Sequence, residues 1–343
     1  MTLKSRILDV VTHPAFDPVL RPLRHGAATI LTLHRFARDA SDPSVTSIDA
    51  LGAQLAYLRK QGYSLLPLSS LVHELTEGRV PPPNAVVFTV DDGYADFRDL
   101  AAPVFAEFDC PVTVFVTTGP IDRTMWFWWD RVEYAFDHAR DRQLEIVIGT
   151  ETLRYRWATW DDGRAAGVAF AERMKLVSEA ERLDGVERLC AALEVDTSGP
   201  APAEYETMTW DDLRRLARTG LVEMGPHTVT HPILSRLDAD RISWEIRESW
   251  RRLREECPMA IPVFCYPNGT PADYTRQTMA AVRQAGLTAA VTTEPGHVRQ
   301  LQGDPDERYR LPRFSCPNDV AHLAQVVNGL EGAKLALLGK FSR

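Results

Sequence analysis

Two pairs of side chains in this 343-residue sequence have the types and spacing that metal-dependent chemistry requires. Asp91 and Asp92 stand side by side in FTVDDGYADF, between an apolar run and a glycine. Adjacent carboxylates at the end of a strand can diverge, so that one binds a cation while the other accepts a proton. Asp-Gly is equally ordinary turn chemistry, and this pair by itself does not decide between the two.

His227 and His231 form the second pair, within GPHTVTHP at residues 225–232. In one helical turn, a spacing of four residues brings two imidazoles to the same side, where they can share a metal ion. Histidines at this spacing are also common on protein surfaces. Because each pair follows its own apolar run, however, the sequence favours a shared site.

The elements that must position these residues are short, β-branched runs that alternate with amphipathic helical segments. This alternation predicts parallel βαβ units and an α/β fold, with strands buried on both faces. In a βα barrel the C-terminal strand ends converge on one face, which holds the active site. The predicted strands are residues 28–33, 85–90, 112–116, 221–225, 263–266, 288–293 and 309–314.

Residues 121–206 interrupt this rhythm, because no strand of the barrel type leads promptly into the next unit. They contain the aromatic MWFWWDRVEYAF, a predicted hairpin around LEIVIGTETLRYRW and a helical run from Gly167 to Leu193. We interpret them as a largely helical insertion beside the active-site face. Residues 1–120 and 207–343 then form the two parts of the barrel, the second ending in a C-terminal helix.

TVDDG resembles the T-F-D-D-G motif of the polysaccharide deacetylase family, the carbohydrate esterases that share the NodB homology domain, and HTVTH matches its H-[ST]-x-x-H motif. The resemblance covers most of residues 27–120 and 207–320. It implies a deformed (β/α)7 barrel of NodB type. It also implies a hydrolase that removes an N-acetyl group from an amino sugar in surface polysaccharide or glycan metabolism.

Carried over to this sequence, the resemblance makes Asp91 the general base and makes Asp92, His227 and His231 the ligands of a divalent metal. Two imidazoles and one carboxylate leave positions open for water and a substrate carbonyl. Zn²⁺ is the first candidate, with Co²⁺, Ni²⁺, Mn²⁺ and Fe²⁺ as alternatives. The cation would supply Lewis acidity, and Asp91 would take the proton of the attacking water.

The family's R-x-P-Y-G motif appears here as FCYPNG, with Cys265 where many members have arginine. The resemblance implies that Tyr266, Pro267 and Asn268 line the substrate site, and that the backbone N–H of Asn268 stabilises the oxyanion. Arg313 is a candidate to supply the missing guanidinium to the base. The alternative is that Arg313 forms a salt bridge that closes the barrel.

The acid that protonates the departing nitrogen is less evident, because the family's L-x-H motif does not appear. His297 is the substitute that we predict, and a plain loop histidine is the alternative. His34, in LTLHRF, resembles a Y-H-R sequence of the family and would contact substrate or serve as a buried structural histidine. Trp128 and Trp129 would stack on sugar rings or belong to the core.

The net charge, the cysteines and the two terminal segments indicate which substrates and which cellular location to expect. A formal net charge of −8 argues against a nucleic-acid binder and favours a neutral or cationic substrate, here a carbohydrate in lipid-linked or nucleotide-linked form. Five cysteines without a C-x-x-C pair favour a reducing compartment, and the N-terminal stretch, residues 1–26, lacks the apolar core of a signal peptide, so we predict a cytoplasmic protein. The basic, amphipathic residues 333–343 would touch a membrane surface or form a final packed helix.

Two other functions fit the same residues. One is a hydrolase that cleaves another amide or a cyclic C–N bond on this barrel, since fold does not determine chemistry. The other is a non-catalytic sugar-binding protein, which has no need of a base and a metal site together.

Overall fold

The computed structural model describes residues 22–39, 42 and 44–341. Its strands are β1 Ala27–Leu33, β2 Arg35–Ala37, β3 Val45–Ser47, β4 Ser64–Leu65, β5 Ala85–Val90, β6 Val112–Val116, β7 Gln143–Ile148, β8 Glu151–Arg156, β9 Val222–Pro226, β10 Val263–Cys265, β11 Ala289–Val291, β12 Val298–Arg299 and β13 Phe314–Ser315. Its α-helices are α1 Ile48–Lys60, α2 Leu68–Thr76, α3 Ala102–Glu107, α4 Thr118–Ile121, α5 Trp128–His138, α6 Trp160–Met174, α7 Glu179–Ala192, α8 Trp210–Ala217, α9 Ala239–Glu256, α10 Arg276–Gln284, α11 Val320–Val327 and α12 Leu330–Phe341.

A mostly parallel sheet forms the centre of an α/β fold. Its strand order is β12-β1-β5-β6-β9, with β13 beside β1 and β4 beside β5, and only β12 runs antiparallel to its neighbour. Every residue of β1, β5 and β6 is buried. Such strands need helices or further strands on both faces, which explains their nearly continuous apolar sequences.

Further hydrogen bonds connect β9 back towards β1. The N–H of Ile261, just before β10, donates to the carbonyl of Met224 at 2.8 Å, and β10 pairs in parallel with β11. Leu311 bridges Val291 in parallel, and β13 pairs with β1. The C-terminal ends of these strands therefore lie at one edge, where Asp91 and His227 follow β5 and β9.

The last predicted strand, residues 309–314, is largely wrong. A 3₁₀ turn occupies Glu307–Tyr309, Leu311 forms a single bridge, and the strand is only Phe314–Ser315. Pro312 has no backbone N–H, so it cannot donate to a ladder. The other six predicted strands correspond to β1, β5, β6, β9, β10 and β11. The bounds of β5 and β6 agree with the prediction, and the others differ by one or two residues at an end.

Alternate residues of the central strands enter different apolar clusters. On β5, for example, Val86 and Phe88 belong to a cluster shared with α1 and α9, whereas Val87 belongs to one shared with Cys265 and Val291. This two-residue period is that of a strand packed on both faces.

Residues 128–193 have an apolar core of their own. Helices α5, α6 and α7 pack with the β7–β8 hairpin around Trp128, Phe136, Phe170 and Leu189. The predicted hairpin is confirmed, and the long predicted helical run is divided into α6 and α7 by Ser178, which caps α7.

At the C-terminus α12 covers Leu330–Phe341, as the predicted final helix requires. Among the helices of residues 22–341 that the structure describes, none is long and apolar enough to cross a membrane. Residues 1–21 of the N-terminal stretch lie outside the described residues.

Candidate active site

The two carboxylates follow β5 and point in different directions. The Asp91 N–H continues the sheet by donating to the carbonyl of Leu33 at 3.0 Å. Asp92 then adopts a φ of 75° and Gly93 one of 89°, so the chain turns sharply. A positive φ is costly for an aspartate and is retained where the surroundings hold it, often at functional sites. The turn separates the two carboxylates, as a division into base and ligand requires.

The histidine pair lies in a loop, and the predicted helical turn is wrong. Thr228 has a φ of 67° and His231 a φ of 55°, values that a right-handed helix excludes. The loop closes on itself because the N–H of His231 donates to Oγ1 of Thr228 at 3.0 Å. The two imidazoles still meet, with ring centroids 4.7 Å apart.

Glu245 of α9 holds this loop from behind. It is fully buried, and its carboxylate accepts hydrogen bonds from the N–H groups of Val229 at 2.8 Å and Thr230 at 3.0 Å. It also accepts from Oγ1 of Thr230 and pairs with Arg241. Sequence analysis missed this residue, although a charge on the apolar face of α9, between Ile242 and Ile246, was a usable signal.

Asp92, His227 and His231 converge on one point. Oδ1 of Asp92 lies 3.6 Å from Nε2 of His227 and 3.5 Å from Nε2 of His231. Ligand atoms at Zn-type distances around a tetrahedral ion are about 3.3 Å apart, so these three atoms fit one small cation. Oδ1 of Asp92 is buried and has no hydrogen-bond partner among the described residues. An unpaired buried carboxylate oxygen is costly, and a cation would satisfy it.

The surroundings of the two histidines favour metal ligation. Nδ1–H of His227 donates to the carbonyl of Cys265 at 2.8 Å, which turns the Nε2 lone pair towards Asp92. Burial lowers the pKa of His227 to about 4, and burial together with His227 lowers the pKa of His231 well below its usual value. Both rings are therefore neutral at neutral pH, which is the form that binds metals.

Arg313 forms a bidentate ion pair with the carboxylate of Asp91. It is fully buried, and its NH1 and NH2 groups donate to Oδ1 and Oδ2 of Asp91 at 2.8 and 2.7 Å. It also donates to the carbonyl of Thr292, to Oγ1 of Thr89 and to Sγ of Cys265. Arg313, directly before β13, thus brings a guanidinium to Asp91.

The two adjacent carboxylates differ in their pKa. Burial alone would raise the pKa of Asp91, but the charge and hydrogen bonds of Arg313 outweigh burial and hold it well below its usual range. Burial, followed by the negative charges of Asp91 and Asp130, raises the pKa of Asp92 well above its usual range. The negative charge of Asp92 is therefore unfavourable where it stands, and binding of a proton or a cation would neutralise it.

His34 lies at the site, whereas His297 does not. Nε2 of His34 is 3.7 Å from Oδ2 of Asp91, and its side chain is 47% exposed to the cavity side. Nδ1 of His297 is 3.2 Å from Oγ1 of Thr29, near the start of β1, and its ring packs against Phe314. Five residues of strand, about 16 Å, separate Thr29 from His34. The prediction of His297 as the acid is therefore wrong on geometry.

Of Tyr266, Pro267 and Asn268, which were predicted to line the substrate site, only Asn268 lines the cavity. Tyr266 is buried, stacks on Tyr274 and donates its hydroxyl to the carbonyl of Tyr309, and Pro267 is buried as well. Asn268 has a φ of 56° and lines the cavity. No residue that the structure describes accepts a hydrogen bond from its backbone N–H.

The two tryptophans have different positions. Trp128 is only 4% exposed and belongs to the core of residues 128–193, so its ring has little face left for a sugar. The ring of Trp129 lies 4.6 Å from that of His231, and its Nε1–H donates to the hydroxyl of Tyr94 at 2.9 Å. Tyr94 in turn donates to buried Asp130. Trp129 therefore supports a histidine of the site, and Tyr94, which sequence analysis missed, anchors it.

These residues surround a cavity of about 740 Å³ that both carboxylates and both histidines line. Its size suits a sugar ring with its substituent, and pockets of this kind are the usual ligand sites. The arrangement offers an ionised carboxylate beside a three-residue cation site at the floor of the cavity. That combination can activate water for attack on a carbonyl.

Several solved structures that share the fold of this chain carry the name of deacetylases or of relatives of them. A Streptococcus pyogenes deacetylase, PplD, matches with a TM-score of 0.58 at 16% identity, over 88% of this chain and 98% of that one. A de-N-acetylase from Aggregatibacter actinomycetemcomitans matches at 0.55 and 14% identity, over 85% of this chain and 95% of that one. IcaB from Ammonifex degensii matches at 0.54 and 16% identity, over 87% and 97%. At these identities the likeness shows the fold.

Sequence comparisons agree. The poly-beta-1,6-N-acetyl-D-glucosamine N-deacetylase of Escherichia coli (strain K12) is 27% identical over 152 residues, which cover 39% of this chain and 22% of that protein. The chain thus matches about a fifth of the length of this curated relative. The family model for polysaccharide deacetylase matches residues 78–290, well over half of the sequence. The chain therefore belongs to the polysaccharide deacetylase family.

Proposed function

We propose that this chain is a metal-dependent N-deacetylase that releases acetate from an N-acetylated amino sugar of a glycan. One observation carries the proposal: an unpartnered Asp92 oxygen lies within 3.6 Å of two neutral imidazoles, beside an Asp91 that Arg313 keeps ionised. The name of the Escherichia coli relatives, an N-deacetylase of poly-N-acetyl-D-glucosamine, supports the choice of acyl group and sugar.

Asp92, His227 and His231 would hold the metal. Two nitrogens and one carboxylate oxygen at these spacings favour Zn²⁺, and Co²⁺, Ni²⁺, Mn²⁺ and Fe²⁺ accept the same donors. When bound, the cation supplies Lewis acidity towards the amide carbonyl and lowers the pKa of a water molecule.

Asp91 would accept the proton of the attacking water. Its low pKa makes it a weak base, so its advantage lies in being ionised and correctly aimed at every physiological pH. The two-pronged contact with Arg313 fixes the carboxylate plane, and Asp91 lines the cavity. Arg313 is therefore proposed as a positioning residue.

The backbone N–H of Asn268 would donate to the oxyanion of the tetrahedral intermediate. Asn268 has a positive φ and lines the cavity, and its N–H has no competing acceptor among the described residues. A donor held in advance of the reaction stabilises developing charge without reorganisation.

His34 would pass to the departing nitrogen the proton that Asp91 takes from the attacking water. Burial lowers the pKa of His34, so its ring starts neutral and can receive that proton from Oδ2 of Asp91, 3.7 Å from its Nε2. It stands beside Asp91 on the exposed side of the site, where a leaving sugar amine would emerge. Because His34 lies at the end of β1 beside the site, we assign to it the role of acid that the sequence suggested for His297.

The wider architecture that we propose is a deformed (β/α)7 barrel with residues 121–206 inserted into it. The nearly continuous ring of strand contacts supports the barrel, and the separate core of residues 128–193 supports the insertion. Residues 1–120 and 207–343 would be its two parts. A cytoplasmic location, a lipid-linked or nucleotide-linked substrate and membrane contact through residues 333–343 stay predictions from the sequence.

The test measures metal content and acetate release together, on a panel of N-acetylated sugars and oligosaccharides with metal added or chelated. We expect Asp91→Asn to keep about one metal per chain and lose most turnover, whereas Asp92→Asn loses both. Absence of bound metal in the wild type would favour the sugar-binding alternative. Metal-dependent hydrolysis of cyclic or other amides without acetate release would favour the other hydrolase.

A further inference from the structure

One face of α6 continues from the cavity rim onto the protein surface. Trp160, Arg164, Val168, Ala171 and Lys175 recur at helical spacing, so they lie along one stripe of α6 and the residue that follows it. We call these five residues the α6 face. Arg164, Ala171 and Lys175 line the same cavity as the Asp92–His227–His231 site.

The opposite side of α6 fixes the orientation of this face. Phe170 and Met174 are buried in the core of residues 128–193. Gly163 lets the helix approach Trp157 closely, since a Cβ there would lie 2.8 Å from the indole. Close packing on one side leaves Trp160 and Val168 exposed on the α6 face, while Ala171 packs partly against that core at the edge of the face.

Trp160 is the outermost large side chain of the α6 face. It is 56% exposed, and the guanidinium of Arg164 lies 5.3 Å from the centre of its ring. Arg164 also pairs with Asp42, which lines the cavity, so the ring is held next to the rim. An exposed, oriented indole is the type of surface on which a sugar ring stacks.

The charges of the α6 face are already paired. Arg164 pairs with Asp42, and Lys175 with Glu172 at 2.6 Å. The face thus presents apolar atoms and neutralised charges, which suit a neutral polymer better than a polyanion. From Ala171 to Trp160 it extends for about 16 Å, further than one sugar ring reaches.

We propose that the α6 face is a distal glycan subsite, at which Trp160 stacks on a ring of a neutral N-acetylated chain whose target sugar lies at the Asp92–His227–His231 site. This inference rests on the proposed deacetylase function. It makes the preferred substrate an oligosaccharide or polysaccharide, and Trp160 a specificity-determining residue outside the reacting groups.

Binding can be measured separately from turnover in an Asp91→Asn background loaded with metal. The probes are a β-1,6-linked pentamer of N-acetyl-D-glucosamine and the monosaccharide, titrated calorimetrically. We expect Trp160→Ala to weaken pentamer binding by about three- to tenfold and to leave monosaccharide binding unchanged, whereas Trp160→Phe keeps most of the affinity. With Asp91 restored, KM for the pentamer should rise while kcat stays constant.

Trp244→Ala is the matched control. Trp244 is 43% exposed and carries Arg241 at 4.2 Å from its ring centre, but it lies on α9, away from the cavity lining. The proposal is overturned if the pentamer fails to bind, if Trp160→Ala affects both probes equally or neither, or if Trp244→Ala has the same effect. Failure of the proposed function is recognised separately, as wild type that releases no acetate from either probe.

Discussion

Replacing Arg313 with glutamine should unpair the buried Asp91 carboxylate and make stability strongly pH-dependent. The side chain of Arg313 is fully buried and that of Asp91 is 3% exposed, so solvent cannot replace the lost charge. Removing one partner of such a pair costs about 3–5 kcal/mol of unfolding free energy. Arg252→Gln, which removes partly exposed pairs with Asp122 and Glu256, should cost less, about 1 kcal/mol.

In Arg313→Gln, Asp91 can take up a proton, and this limits how much the substitution destabilises the protein. Starting from an unfolded pKa of about 3.9, forcing a proton onto the carboxyl costs about 5.6 kcal/mol at about pH 8 and about 1.5 kcal/mol at about pH 5. The variant's deficit should therefore be largest at the higher pH and shrink by roughly 2–3 kcal/mol at the lower one. In the wild type, stability changes with pH in the opposite direction. There the folded pKa is depressed, so the pair stabilises above the unfolded pKa, and this stability is lost only as the pH falls towards the lower folded pKa.

Urea unfolding of both proteins at the two pH values measures these differences. The acid limb of kcat/KM should also move to higher pH in the variant, because its Asp91 is protonated more readily. A double variant, Arg313→Gln with Asp91→Asn, no longer has the Asp91 carboxylate to protonate, so the pH dependence that this group causes should disappear from its stability deficit. A single variant within about 1 kcal/mol of wild type at the higher pH, or a double variant that keeps the pH dependence, would refute the reasoning.

Three other predictions concern residues around the same site. Glu245→Gln should lower metal affinity about tenfold in a chelator competition, because it weakens the hold on the loop that carries His231, whereas Glu248→Gln on the same helix should not change it. His34→Gln should reduce kcat by about a hundredfold or more in acetate-release assays while His297→Gln leaves it unchanged, and the reverse ranking would contradict the assignment of the acid. The wild type with metal at a hundred times its Kd should have an unfolding free energy about 2.7 kcal/mol higher than the wild type without metal. If metal removal destabilises Asp92→Ala by the same amount, the ion binds at a site that does not involve Asp92.

Local sequence features were sufficient for the α/β fold class and for singling out two pairs of candidate site residues. Strands such as AVVFTV are apolar on both faces, and that pattern predicts a buried parallel strand whatever its neighbours are. Asp91, Asp92 and His227 directly follow such strands. Because parallel strands end at a common edge, their order along the chain already brought these residues to one place.

Contacts between distant segments could not be predicted in this way. Arg313 and Asp91 are separated by 222 positions, and only the turn of the chain through Leu311 and Pro312 brings them together. The same spacing of two histidines that suits a helix is realised here by a loop with two positive φ values, held by Glu245.

Side-chain direction was the other quantity that tertiary structure decided. Trp128 and Trp129 are neighbours with the same chemistry, yet one fills a core and the other supports His231. His34 and His297 both follow or adjoin strands, but they lie near opposite ends of β1. The sequence determined which residue types stand at strand ends, because that depends on local periodicity. Which of them share a site depends on how the strands close and the helices pack, and those are long-range interactions.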